Sequence, residues 1–238
     1  MKSATDTTPS IPMSLIILGA PGTGKTTLAT QFPKAYFLNA DNNIEGSIRW
    51  LKDNNRNADF FYDDISSATK EELSKANIPD LELKDLPTEG ECIVKRQWKY
   101  RYMAMLLNEA VGSDKIKTIV LDSLTSLTEV TLDEVRRQAG RAMGDPFGAK
   151  TVDDMLQRQD WGANMSLVKN LIFQLMGSGK RLVLIGHLKI DKDELTGIMQ
   201  EYIAIPGQLS TQIALWFGLF LVFFVFDIFF NSLSIGAV

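Results

Sequence analysis

The sequence predicts an α/β fold in which a mainly parallel sheet carries helices on both faces. Short apolar runs at Ser14 to Leu18, Ala35 to Leu38, Ile116 to Leu121 and Leu182 to Ile185 have the length of strands buried on both sides. Helical apolar spacing lies between them, at Trp98 to Val111 and at Ala163 to Met176, where Met165, Val168, Leu171, Ile172 and Leu175 share one face. The runs end in polar residues, as strands do at the ligand-facing edge of an open parallel sheet. The resulting βαβα alternation is that of a two-sided sandwich.

The first run leads straight into Gly19, Ala20, Pro21, Gly22, Thr23, Gly24, Lys25 and Thr26, followed by Thr27. This is a complete phosphate-binding loop between a strand and a helix. Its glycines let the backbone curl so that successive N–H groups converge on an anion. Lys25 would reach the β- and γ-phosphates, and the Thr26 hydroxyl would take a Mg²⁺ position. The expected ligands are therefore a nucleoside triphosphate, read as ATP, together with Mg²⁺.

Such a loop needs a partner carboxylate at the end of a neighbouring strand, and Thr118-Ile119-Val120-Leu121-Asp122 supplies it. Strands also end in Asp for turn chemistry alone, but the distance from the loop favours the metal-side role for Asp122. Ser123 follows, where one style of ATPase carries a water-polarising Glu, so the catalytic carboxylate must sit elsewhere. Asp41, at the tip of the strand after the loop helix, is best placed, with Glu45 in reserve. The alternative for Asp41 is a turn cap shared with Asn42 and Asn43. His187 is the sole histidine and ends the run Leu182 to Gly186. At a strand tip it can hydrogen-bond a γ-phosphate and report its loss, and the alternative is a structural His.

The length of 238 residues suits one α/β domain with additions, and a hydrophobic content of 45% can fill its core. The formal net charge of −4 excludes a surface that binds polyanions throughout, so any nucleic-acid contact must be a local patch. Cys92 is the sole cysteine, which excludes an intrachain disulfide and a cysteine zinc site and makes a cytoplasmic setting the default. Residues 1–12 read as a disordered lead-in without the apolar centre of a signal peptide. The domain is expected over 13–212, with polar insertions or loops at 52–92, holding one short strand at Asp59 to Tyr62, and at 136–160. Residues 213–238 form an apolar tail in which Asp227 is the one charged residue and which holds seven of the thirteen Phe. Strands completing the sheet, a membrane anchor and an altered terminus all fit this tail, although the membrane is not expected as a partner.

Together these residues resemble the RecA-like P-loop ATPases, and among them the small phage-encoded AAA-family nucleotide-binding proteins of the Sak type, linked to single-strand annealing and recombination. The likeness covers about 13–212. It rests on Gly19 to Thr27, Phe37-Leu38-Asn39-Ala40-Asp41, Val120-Leu121-Asp122-Ser123-Leu124-Thr125, Asp160-Trp161-Gly162 and Leu184-Ile185-Gly186-His187. It implies a RecA-like sheet, Mg²⁺-dependent ATP hydrolysis, Asp41 in the place of a catalytic Glu, His187 as γ-phosphate sensor, and a homo-oligomer completing the site with a basic residue from the next subunit. It also implies two loops facing single-stranded DNA. The first falls within Arg136 to Gln159 and carries Arg136, Arg137, Arg141, Lys150 and Arg158, and the second follows His187 and holds Lys189 and Lys192. Two other readings stay open at this level: a nucleoside or nucleotide kinase, and a non-catalytic nucleotide-gated DNA-binding module.

Overall fold

The computed structural model describes residues 14–56, 59–79, 81–139, 158–192, 199–205, 209–217 and 219–223. Its strands are β1 (Leu15–Gly19), β2 (Ala35–Asn39), β3 (Phe60–Asp64), β4 (Ser67–Thr69), β5 (Glu91–Ile93), β6 (Thr118–Asp122), β7 (Arg181–Lys192), β8 (Met199–Ile203) and β9 (Leu219–Phe223). The helices are α1 (Lys25–Ala29), α2 (Ile44–Asp53), α3 (Lys70–Lys75), α4 (Lys99–Gly112), α5 (Leu124–Gln138), α6 (Arg158–Gly177) and α7 (Leu209–Gln212). The central sheet runs β3-β2-β6-β7-β1-β9 with every neighbour parallel, and β8 adds to β7 antiparallel.

Alternation along each strand explains why these segments are apolar throughout. Ile16, Leu18, Leu38, Ile119, Leu121, Leu182 and Leu184 face one side, where Met103 and Leu106 of α4, Leu127 of α5 and Ile172 of α6 cover them. Leu15, Ile17, Phe37, Val120, Val183 and Ile185 face the other, against Ala29 of α1 and Ile44 of α2. A strand buried on both faces has no polar half to show, which is the pattern of a parallel sheet between helical layers.

Several elements refine or depart from the sequence expectation. The short strand expected inside the 52–92 insertion is β3, and it is the edge of the central sheet, paired with β2 from Ala35↔Phe60 to Asn39↔Asp64. Its Phe61 and Tyr62 are exposed because an edge strand has less of the molecule to cover it. After it, β4 and β5 form a separate antiparallel pair bracketing α3. The segment after His187, expected as a DNA-facing loop, is instead the second half of β7, paired with β8 from Leu188↔Ile203 to Lys192↔Met199. Part of the apolar tail is β9, in register with β1 from Leu15↔Leu219 to Gly19↔Phe223. Of the loop expected within Arg136 to Gln159, residues 136–138 close α5 and Arg158 opens α6, and 140–157 lie outside the described residues, as do 224–238.

Gly186 shows how tightly the sheet is built beside its functional edge. It sits opposite Leu18, and a Cβ at Gly186 would lie 2.6 Å from the Leu18 side chain. Glycine lets β7 pass β1 there and deliver the next residue, His187, to the strand tips.

Candidate active site

The phosphate-binding loop joins β1 to α1. Gly22 and Gly24 take φ values of 77° and 81°, in the left-handed region that favours glycine, and Gly24 occupies the position that starts α1. Thr23 Oγ1 donates to the Ala20 carbonyl at 2.9 Å and steadies the turn. Lys25 is 5% exposed, and its Nζ donates to the carbonyls of Gly19 at 3.0 Å and Ala20 at 2.7 Å. Burial pulls this ammonium below its usual range, while the charges of Asp122 and Asp41 oppose the shift.

Asp122 ends β6, the strand two places from β1 in the sheet, and its side chain reaches back to the loop helix: Thr26 Oγ1 donates to Asp122 Oδ2 at 2.6 Å. The residue is 2% exposed, and its second oxygen, Oδ1, is buried with no hydrogen-bond partner. Burial pushes the carboxyl up to about 6, helped by the nearby Asp41 charge and opposed by the Thr26 hydrogen bond, His187 and Lys25. A buried carboxylate oxygen without a donor beside a threonine hydroxyl is the donor set a hydrated Mg²⁺ takes, and such an ion completes its shell with water and substrate phosphates. Thr26 and Asp122 therefore fit Mg²⁺. No group of three or more His, Cys, Asp or Glu able to hold a metal by itself occurs among the described residues.

Asp41 lies just past β2, whose Asn39 pairs with Asp122. Ser126, in the first turn of α5, donates to Asp41 Oδ1, and His187 Nε2 lies 3.4 Å from Asp41 Oδ2. Burial acts to raise this carboxyl, but the hydrogen bonds from His187 and Ser126 outweigh it and hold Asp41 below its usual range. His187 is in register with Gly19 across the β1–β7 pair, and its Nδ1 is buried without a partner. The reserve carboxylate, Glu45, is exposed in the first turn of α2.

A cavity of about 600 Å³ opens over the loop, with Lys25, Thr26, Asp122 and His187 in its wall. The structure thus gathers Gly22 to Thr27, Asp122 and His187 around one space and sets Asp41 against His187. It also uncovers contributors that the sequence reading missed. Ser126 has no motif. Ser47, whose hydroxyl is 3.0 Å from that of Thr27, and Asn43, Gly46 and Trp50 bring α2 to the same cavity. Their signal was the helical spacing of residues 43, 46, 47 and 50, hidden because the stripe mixes polar, small and aromatic residues.

A glycine-rich loop after an inner strand of the sheet, a buried lysine, and a contact between the threonine of the loop helix and the aspartate ending β6 define a P-loop nucleotide-binding protein. The chain belongs to the AAA domain family, whose model matches residues 11–224. No curated protein matches it. Among solved structures it is similar to a KaiC-like protein from the hyperthermophilic archaeon Pyrococcus horikoshii OT3, at 13% identity and a TM-score of 0.35, covering 80% of this chain and 77% of that one. Among the described residues no helix is long and apolar enough to cross a membrane.

Proposed function

We propose that this chain is a Mg²⁺-dependent ATPase of phage type that acts in DNA recombination, annealing or replication. The observation that carries the enzymatic part is the Thr26–Asp122 contact with its spare buried oxygen, set beside the buried Lys25. Lys25 and the loop amides neutralise the phosphates of ATP. Thr26 and Asp122 would hold Mg²⁺, which would supply positive charge against that of the phosphates. Asp41, kept ionised by His187 and Ser126, orients the attacking water as a hydrogen-bond acceptor; a carboxylate below its usual range places a proton acceptor well but retains a proton poorly. His187 touches both the cavity and Asp41, so it is the residue through which phosphate loss reaches the rest of the chain.

The nucleic-acid part is supported by the resemblance to the Sak-type proteins and by the exposed Lys189, two residues beyond His187 on the β7–β8 hairpin. Single-stranded DNA and other copies of this chain are the partners in this reading, and a cytoplasmic setting goes with it. Phosphate release from ATP, measured with and without single-stranded DNA beside a screen of nucleoside phosphate acceptors, tests it. Release stimulated by DNA is expected. Transfer to a nucleoside would instead make the protein a kinase, and binding without turnover would make it a nucleotide-gated binding module.

A further inference from the structure

Helix α2 turns one face to the cavity. Residues 43, 46, 47 and 50 recur at the three- and four-residue spacing of a helical stripe, and Asn43, Gly46, Ser47 and Trp50 all line the space over the loop. Along its flank Ile44 and Leu51 are buried with Ser47, and the Ser47–Thr27 hydroxyl contact ties the stripe to α1. The space beside Gly46 is open, since a Cβ there would meet nothing within 4 Å. At the far end Trp50 leaves 46% of its surface exposed, which is unusual for the side chain with the most to gain from burial.

The two ends of the stripe differ in chemistry. Asn43 stands two residues from Asp41, at the strand tips with Asp122 and His187, whereas Trp50 lies roughly 10 Å further along the helix axis. A triphosphate held by Lys25 and Thr26 occupies the polar end and leaves the cavity towards Thr27, Ser47 and Trp50 for the rest of the nucleotide. We infer that Trp50 is the stacking wall for the nucleobase, with Gly46 providing clearance for the ribose, and that its two-ring face favours purine over pyrimidine triphosphates. This inference rests on the phosphate-loop reading and deepens it by naming what distinguishes one nucleotide from another.

Calorimetric titration of the full chain with Mg²⁺ salts of ATP, CTP and inorganic tripolyphosphate tests both, using wild type, Trp50→Ala, Trp50→Phe and Lys25→Ala. Wild type should bind ATP more tightly than CTP, and both more tightly than tripolyphosphate. Trp50→Ala should weaken ATP about tenfold, the scale of one base–aromatic stack, while leaving tripolyphosphate unchanged and narrowing the ATP-to-CTP ratio. Trp50→Phe should recover most of the loss. Equal weakening of ATP and tripolyphosphate, or unchanged ATP affinity, in Trp50→Ala overturns the stacking wall while the phosphate site stands. If wild type binds neither ATP nor tripolyphosphate, or Lys25→Ala binds both normally, the phosphate-loop reading itself falls and the wall with it.

Discussion

Lys25 satisfies two of its three donors on the carbonyls of its own loop, so the loop and its cation form one preassembled unit. Replacing it with alanine removes the charge proposed to offset the β- and γ-phosphates. Lys25→Ala is expected to abolish tight ATP binding while leaving the fold intact, and unchanged affinity by calorimetry would refute the assignment. Asp41 makes the sharper claim. Its oxygens are divided between Ser126 and His187, an arrangement that fixes the carboxylate while keeping it ionised. Asp41→Asn should lower turnover by roughly 10²- to 10⁴-fold with ATP still bound, and Asp41→Glu should retain or raise activity. Normal hydrolysis by Asp41→Asn, together with its loss in Glu45→Gln, would move the role to Glu45 despite that residue's exposure. The loop, Lys25 and Asp122 were legible in the sequence because each belongs to a pattern local in the chain. Ser126 was not, since it lies 85 positions from Asp41 and meets it because β2 and β6 are sheet neighbours.

Among the elements, legibility followed burial. β1, β6 and the first half of β7 are covered on both faces and read as unbroken apolar runs. Beyond His187, β7 leaves the parallel sheet for a hairpin, and Leu188, Lys189, Ile190 and Asp191 alternate in a way that resembles a polar loop. β3 was legible as a strand, but its place in the sheet was not, because an edge strand carries exposed Phe61 and Tyr62 beside charged residues. Helix α5 hid a different feature, a buried ion pair. Glu134 has no side-chain exposure; Arg137 grips both its oxygens at 2.7 Å, Gln138 donates at 2.9 Å and Arg101 approaches to 3.5 Å. Burial acts to raise this carboxyl, but the Arg137 and Gln138 hydrogen bonds and the arginine charges prevail and depress it below its ordinary value of 4.5. A depressed folded-state value means the contribution is complete above the unfolded value and is lost as pH falls through the folded one. Glu134→Gln is expected to cost about 1–3 kcal/mol near neutral pH. In urea unfolding, the gap from wild type should close towards about pH 3. A gap of equal size at both ends of that range would show that shape rather than charge holds the α5 contact.

At the scale of the molecule, β7 links the candidate nucleotide site to the β7–β8 hairpin. β7 runs past the loop strand, presents His187 at the tips and continues into the hairpin, where the Ala204 N–H donates to the His187 carbonyl at 2.8 Å and Thr125 donates to the Ala204 carbonyl at 3.1 Å. If Lys189 touches a phosphate of single-stranded DNA, affinity should fall with salt, and Lys189→Ala should make the log–log slope shallower by roughly 0.7. An unchanged slope would remove the hairpin from the DNA-facing surface.

The other flank of β1 offers a test of what the apolar tail does. β9 pairs with β1 along its whole length, ending at Gly19↔Phe223, so the strand that carries the phosphate loop is gripped by β7 on one side and β9 on the other. A chain ending at Phe223 keeps both neighbours and is the reference for a shorter one. A chain ending at Phe217 loses β9 and turns β1 into an edge strand whose backbone groups lack partners on that side. Removing a five-residue strand should lower the thermal midpoint by roughly 5–10 °C, taking about 2–4 °C for each kcal/mol in a domain of this size, and should weaken ATP binding because the loop's anchor strand is no longer held on both sides. Circular-dichroism melts and ATP titrations of the three chains read both effects. Full stability and affinity in the chain ending at Phe217 would show that the sheet needs nothing beyond β1. Sedimentation of the intact chain with lipid vesicles, abolished by stopping at Phe223, would instead assign 224–238 to an anchor.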